Sequence, residues 1–244
     1  MIDAVLPSTR AWRPASGALV DALRQVIDPE LDESIVELGF VDHVNVRGDA
    51  VEVVLRLPTF WCAPNFAYLM AYDTRQAVLA LPGIASVQVK LRDHAYSDEI
   101  SVGVTCGKSF GDTFAGQTED EDLEALRRVF WRKAFGMRQE QLVRFLQDVG
   151  LAAHDIVALR AESALPRGAA PMLRAHLDRR QRLGVESIWL ITDERGQPIA
   201  AEDLDEYVRQ GRKQRVSMTF NSLMCRGLLD TRYGLEPARK EDAR

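Results

Sequence analysis

Between Val44 and Leu57 apolar and polar residues alternate on both sides of Arg47-Gly48-Asp49. Alternation at period two around a short Gly-containing turn specifies a β-hairpin, with Val51, Val53, Leu55 and Leu57 on one face of its second strand. That hairpin constrains the elements downstream of it. Ala67, Met70, Ala71, Thr74, Val78 and Leu81 form a helical stripe, Pro82-Gly83 stops it, and Val87, Val89 and Leu91 alternate again. A strand, helix and strand in one sheet join by a right-handed crossover, which makes the two strands parallel. Upstream, Ser16 is placed to cap a helix running to about Ile27, ended by Asp28-Pro29-Glu30 because the residue before proline avoids the helical region. Downstream, Ile100 to Thr105 reads as a fourth strand. The expected fold class is therefore α/β (α+β), with a small αββαβ domain at 15–112.

The stretch from Gly107 to Gln117 is rich in Gly, Ser, Thr and Asp and reads as a boundary or mobile loop. Beyond it the pattern is mainly helical. Leu123, Leu126, Val129 and Phe130 form one stripe, and Leu142, Val143, Phe145 and Leu146 belong to the next helix. Met172 to Leu183 reads as a helix, Ser187 to Ile191 as a short strand, and Ala201 to Leu229 as a helical region interrupted near Gly211. These give a second, mostly helical α+β domain at 118–236. Met1 to Ala15, with Trp12 in a polar setting, reads as an arm.

Charge and cysteine content exclude several classes. The net charge is −5, with 16 basic against 24 acidic residues over 1–165 and 15 against 12 over 166–244. No strongly basic footprint of a nucleic-acid binder is present. No apolar run approaches a membrane span, and no signal peptide follows Arg10 and Arg13. Three cysteines, Cys62, Cys106 and Cys225, do not make a secreted disulfide scaffold, so the cytoplasm is the expected compartment.

Cys62 is the residue most suited to chemistry. It follows a strand, shares its loop with Thr59, and directly precedes a helix start, where the dipole and free N–H groups stabilise a thiolate. The competing reading is a small buried hydrophobe, a common fate of cysteine. Asp28 and Glu30 read either as a helix stop or as ligands. Cys106 and Cys225 read as core. Gly107-Lys108-Ser109 invites a phosphate loop, but Val102 stands where that motif needs glycine. His43 and His94 flank strands without metal-cage spacing, and the basic cluster Arg209, Arg212, Lys213 and Arg215 reads as a solvated helix face.

Taken in order and spacing, Val26-Ile27-Asp28-Pro29-Glu30, Ser34 to Gly39, Thr59 with Cys62, Leu81-Pro82-Gly83-Ile84 and Val87-Gln88-Val89 resemble the metal–sulfur cluster biosynthesis family of SufT and PaaD-like proteins. The resemblance covers about residues 17–105. It implies that Cys62 is the site of metal or client interaction, with Thr59, Asp28 and Glu30 from the matching motifs beside it. Family members usually carry proline directly after the cysteine, whereas here Cys62-Ala63-Pro64 places it one residue later. The loop Pro58 to Phe66, with Phe60, Trp61 and Phe66, looks like a long form associated with soluble diiron monooxygenase systems.

The resemblance implies an assembly or maturation factor, not a turnover catalyst, that helps deliver an iron or iron–sulfur centre held transiently. The implied partner is a client apo-metalloprotein, in the long form a diiron hydroxylase, with Phe60, Trp61 and Phe66 as client interface. No nucleic acid and no membrane are expected, and a homo-oligomer is left open. Two alternatives stand beside it: a metal-free folding chaperone for the client, and a thiol enzyme using Cys62.

Overall fold

A computed structural model describes residues 2–4, 17–116 and 123–235. The Ser16 cap and the Trp12 arm lie outside the described residues. Packing divides the chain into two units, 1–123 together with 221–244, and 124–220.

The first unit is built on a four-stranded sheet. β1 (Ile2–Ala4) pairs antiparallel with β4 (Val41–Arg47), which forms the expected hairpin with β5 (Ala50–Arg56) in the register Val44 to Val53 and Val46 to Val51. β6 (Ser86–Arg92) runs parallel to β5, Val53 opposite Val89, after the crossover helix α2 (Pro64–Leu79). α1 (Gly17–Arg24) stops three residues before the expected Ile27. The reason is local: Ile27 and Asp28 form β2, paired with Glu33 and Ser34 of β3, so their backbone groups are engaged in a ladder that a helix would break. Leu19, Leu23, Ile35, Leu38, Val53, Leu55, Leu57, Ala67, Met70, Ala71, Val78, Val89 and Leu91 form one buried core.

Ile100 to Thr105 is not a strand. It lies in α3 (Ser97–Thr105), with Ile100 and Val104 buried at helical spacing and Val102 exposed. Asp98 and Glu99 in its first turn complement the helix dipole. α3 nevertheless occupies the place of a fourth strand. The Ser101 hydroxyl accepts the Leu91 N–H at 2.9 Å and Thr105 Oγ1 accepts the Val89 N–H at 3.2 Å, so side chains satisfy the free edge of β6.

The described part of the Gly107–Gln117 stretch is also anchored. Ser109 caps the short helix α4 (Phe110–Thr113), and Phe110 and Phe114 are buried. Their rings meet Tyr68 and Tyr96 with centroids 5.3 and 5.4 Å away, and the Tyr68 hydroxyl donates to the Lys108 carbonyl at 2.6 Å. Gln117 lies outside the described residues.

The second unit is helical. α5 (Leu123–Asp148) is one helix, not two, because buried Ala134, Phe135 and Met137 carry its apolar side from one expected stripe to the next. α6 (Ala153–Val157), α7 (Ala170–Leu183) and α8 (Leu204–Tyr233) follow, the last after a 3₁₀ turn at Ala201–Asp203. α8 runs through Gly211 without interruption. The glycine is there for proximity: a Cβ on it would lie 2.7 Å from the Gly136 carbonyl oxygen and 2.8 Å from Glu140 Cβ, so α5 and α8 cross with backbone near contact. Beside the crossing, buried Glu140 takes a two-pronged ion pair from Arg215 at 2.7 and 3.3 Å, which removes Arg215 from the expected solvated face.

Ser187 to Ile191 contributes one isolated bridge, Trp189 to Arg160, rather than a strand, and a second bridge joins Thr192 to Pro198 just beyond it. Side chains there replace a neighbouring ladder. The Arg180 guanidinium donates to the carbonyls of Ser187 and Trp189, and the Gln139 amide both donates to and accepts from Thr192 backbone groups. No helix among the described residues is long and apolar enough to cross a membrane.

Candidate site around Cys62

The loop between β5 and α2 carries Thr59, Phe60, Trp61 and Cys62. Pro64 opens α2, its fixed φ suiting the first helical turn and its missing N–H costing no bond there. Cys62 is thus held just outside a helix N-terminus. Its half-buried Sγ lies 3.2 Å from Thr59 Oγ1, a hydrogen bond available to thiol or thiolate.

Residues beyond the loop hold it in shape. His94, 4% exposed, donates from Nε2 to the Cys62 carbonyl at 2.8 Å and accepts the Tyr96 N–H on Nδ1 at 3.1 Å. This pairing assigns the Nε2–H tautomer. Burial, with Arg232 nearby, holds the imidazole below its usual pKa and therefore neutral. The next residue, Ala95, donates its N–H to the Phe60 carbonyl at 2.8 Å. Both ring nitrogens of His94 are thus occupied by backbone groups, so the ring is placed to fix the loop and not to take a proton from the thiol.

The end of α8 completes the surroundings within the same unit. Arg232 donates to the carbonyls of Leu57, at 3.2 Å, and Asp93. Arg226 pairs with the Glu33 carboxylate and donates to the Glu37 carbonyl. Leu229, fully buried, sits against Gly39, whose φ of +77° and missing Cβ both matter; a Cβ there would come within 3.3 Å of Leu229 Cδ2.

Asp28 is buried, and its Oδ1 accepts the N–H groups of Glu30 at 2.8 Å and Leu31 at 2.9 Å. That is an Asx-type turn, the helix-stop reading of the motif. Burial pushes its carboxyl up to about 7, against the pull of those two N–H groups. Glu30 is half-exposed beside it. Cys225, near the end of α8, is half-buried against the same core as Cys62. Burial first, then the charges of Asp28, Cys62 and Glu30, push its thiol up to about 12.

The structure therefore brings Thr59 and Cys62 into contact, turns the Asp28 carboxyl onto its own loop, and packs Cys225, a thiol that the sequence pattern assigns to the core, against the same core as Cys62. Phe60 is 50% and Trp61 78% exposed, whereas Phe66 packs inward against the core. Cys106, expected in the core, is exposed at the end of α3. Of the apolar residues just before Cys225 in α8, Met218 is buried but Phe220, Leu223 and Met224 are exposed. Among the described residues no group of three or more His, Cys, Asp or Glu side chains is arranged to hold a metal ion unaided. His94 and Cys225 escaped sequence reasoning because neither has a neighbouring motif. The one available signal was the spacing Cys225, Leu229, Arg232, which puts a thiol, an apolar anchor and a cation on one helix face.

A family model described as iron–sulfur cluster assembly protein matches residues 17–91. An iron–sulfur cluster carrier protein of Deinococcus radiodurans is 36% identical over 73 residues, 30% of this chain and 20% of that protein. A carrier protein of the same description from a Synechocystis species is 39% identical over 74 residues, again 30% and 20%. An uncharacterised protein of Methanocaldococcus jannaschii is 30% identical over 84 residues, 34% of this chain and 86% of that protein. The chain thus spans about a fifth of the length of the two carrier proteins. No solved structure matches it. The matched span holds Asp28, Glu30, Thr59 and Cys62 and ends before His94 and Cys225.

Proposed function

Because this chain belongs, through residues 17–91, to the iron–sulfur cluster assembly protein family, we propose that it assembles an iron–sulfur cluster, or iron for one, and delivers it to a client apo-protein. Cys62 is the contact residue, and Thr59, Asp28 and Glu30 form its surroundings. One observation carries this reading: a hydrogen-bonded thiol at a helix start, on a loop fastened by His94, Ala95 and Arg232, with two exposed aromatic rings alongside. A fixed backbone with a reachable sulfur suits a cargo that must be held and then surrendered. The setting is cytoplasmic, and the chain acts as an assembly factor without turning over a substrate.

Phe60 and Trp61 are the client-facing edge in this reading. Exposed aromatics of this kind supply the energetic centre of many interfaces. The resemblance of the Pro58–Phe66 loop to forms linked with diiron monooxygenases makes a non-haem diiron hydroxylase the proposed client.

The test is anaerobic reconstitution with ferrous iron and sulfide, followed by transfer to a purified apo-ferredoxin. Cys62→Ala is expected to lose cluster absorption and transfer together while its thermal midpoint moves by only a few degrees. Trp61→Ala is expected to load normally and transfer at least about tenfold more slowly, the equivalent of ~1.4 kcal/mol at the interface. A Cys62→Ala protein that loads and transfers like the wild type removes Cys62 from the mechanism. The exposed rings also favour a second reading, client binding without metal. Under that reading reconstitution yields no cluster, yet the chain still captures a diiron hydroxylase apo-protein and loses it on Trp61→Ala.

A further inference from the structure

At the end of β5 opposite the Cys62 loop lies a hollow of about 730 Å³. β5 starts in it at Ala50 and ends at Arg56, about 20 Å away at the rise of a strand, just before that loop. Strand register builds the floor. Arg47, Ala50 and Ser86 lie side by side across β4, β5 and β6, and Asn45, Glu52 and Gln88 form the next row on the same face. α2 adds Arg75 and Leu79, one helical turn apart, and α3 adds Thr105.

The charges around the hollow do not cancel. Glu52 is its one carboxylate among the described residues, and it is already engaged by an ion pair with Lys90 and by the Asn45 amide at 3.0 Å. Arg47 and Arg75 have no carboxylate partner among the described residues. Arg75 goes further: its Nε is buried and has no hydrogen-bond partner there. A buried charged donor left unpaired is destabilising, which points to an acceptor supplied from outside. The free edge of β6 adds a main-chain donor. Thr105 takes the Val89 N–H and Ser101 the Leu91 N–H. By the two-residue period of a strand the Val87 N–H faces the same way, into the hollow, and no described side chain takes it.

We propose that this hollow binds a small organic phosphate, with Arg47 and Arg75 taking its phosphoryl oxygens. Two unbalanced cations match a phosphate monoester, which carries about −1.5 to −2 charges near neutral pH. The planar guanidinium fork pairs with phosphate oxygens two at a time. A hollow of this size lies within the roughly 300–1,000 Å³ of small-molecule sites and is larger than an inorganic ion fills. Leu79, Val51 and Ala85 give the remainder of the ligand an apolar wall. Binding changes no covalent bond and is independent of what Cys62 handles.

The test is isothermal titration calorimetry of the full chain with phenyl phosphate and, separately, with inorganic phosphate. Phenyl phosphate is expected to bind with a Kd of about 1 mM or tighter, and inorganic phosphate at least about tenfold more weakly. Arg75→Gln and Arg47→Gln should each weaken phenyl phosphate at least about tenfold. Arg212→Gln, the same loss of charge at an exposed position of α8, should change nothing. A wild type that binds neither anion overturns the proposal. So does an Arg212→Gln effect as large as that of Arg75→Gln, because the attraction is then one of net charge alone. Equal affinity for the two anions overturns the organic assignment. A second measurement needs no variant: arginine modification with phenylglyoxal, mapped by peptide mass spectrometry with and without phenyl phosphate. Phenyl phosphate is expected to protect Arg47 and Arg75 and to leave Arg212 unchanged. Modification of Arg47 and Arg75 at the same rate in both conditions overturns the proposal.

Discussion

Asp28 shows how one carboxyl group can serve a turn and impose a pH dependence at once. Its raised pKa, about 7 against the usual 3.8, means that folding favours the protonated form. The stability it contributes is fully present below the unfolded value and is lost as pH rises through about 7. Asp28→Asn keeps an oxygen for the Glu30 and Leu31 N–H groups and removes the ionisation. Relative to that variant, the wild type is expected to lose about 4 kcal/mol between about pH 4 and about pH 8, measured by urea unfolding. A constant difference across that range would show that the carboxyl is not desolvated in the folded chain. The same residue marks the limit of what sequence discloses at this scale. Asp28, Thr59 and Cys62 could be picked out because each sits in a short motif whose local chemistry is readable. His94 and Arg232 act on the Cys62 loop from farther along the chain, and no short motif beside either announces it.

At the scale of elements, α3 shows why periodicity alone misled. Ile100, Val102 and Val104 alternate like a strand, yet Ile100 and Val104 are also four apart, and burial of those two without Val102 is the helical solution. The hairpin, the crossover helix and the parallel strand β6 were legible because their patterns ran long enough to fit only one period. Composition is a poor guide to the Gly107–Gly116 stretch, since two phenylalanines outweigh its small residues once they meet Tyr68 and Tyr96. Phe114→Ala is expected to destabilise the first unit by about 3 kcal/mol, as for other buried aromatic truncations. It should also open the stretch to protease. A variant as stable and as resistant as the wild type would return this segment to the status of a linker.

For the whole molecule, the telling fact is that the first unit is assembled from two stretches with the second unit's residues between them. Arg226 meets Glu33 across 193 residues of sequence, and Arg232 meets Leu57 across 175. Leu229→Ala is accordingly expected to lower the first unit's stability by about 3 kcal/mol, read by calorimetry as a shift of one transition. An unshifted transition would mean that the end of α8 merely rests on that unit. No short-range pattern could have revealed this, because helical periodicity states which face of α8 is apolar and not what lies against it.

Synthesis gives that arrangement a direction in time. A ribosome adds about 5–20 residues per second, so residues 17–91 emerge on the order of ten seconds before Leu229 does. Through that interval the hollow at Gly39 has nothing to receive, and the Cys62 loop lacks the hydrogen bonds that Arg232 gives to Leu57 and Asp93. A chain still being translated would therefore hold that loop less firmly than one translated past Arg232. The order of residues along the chain would by itself postpone that fastening until the end of α8 has emerged.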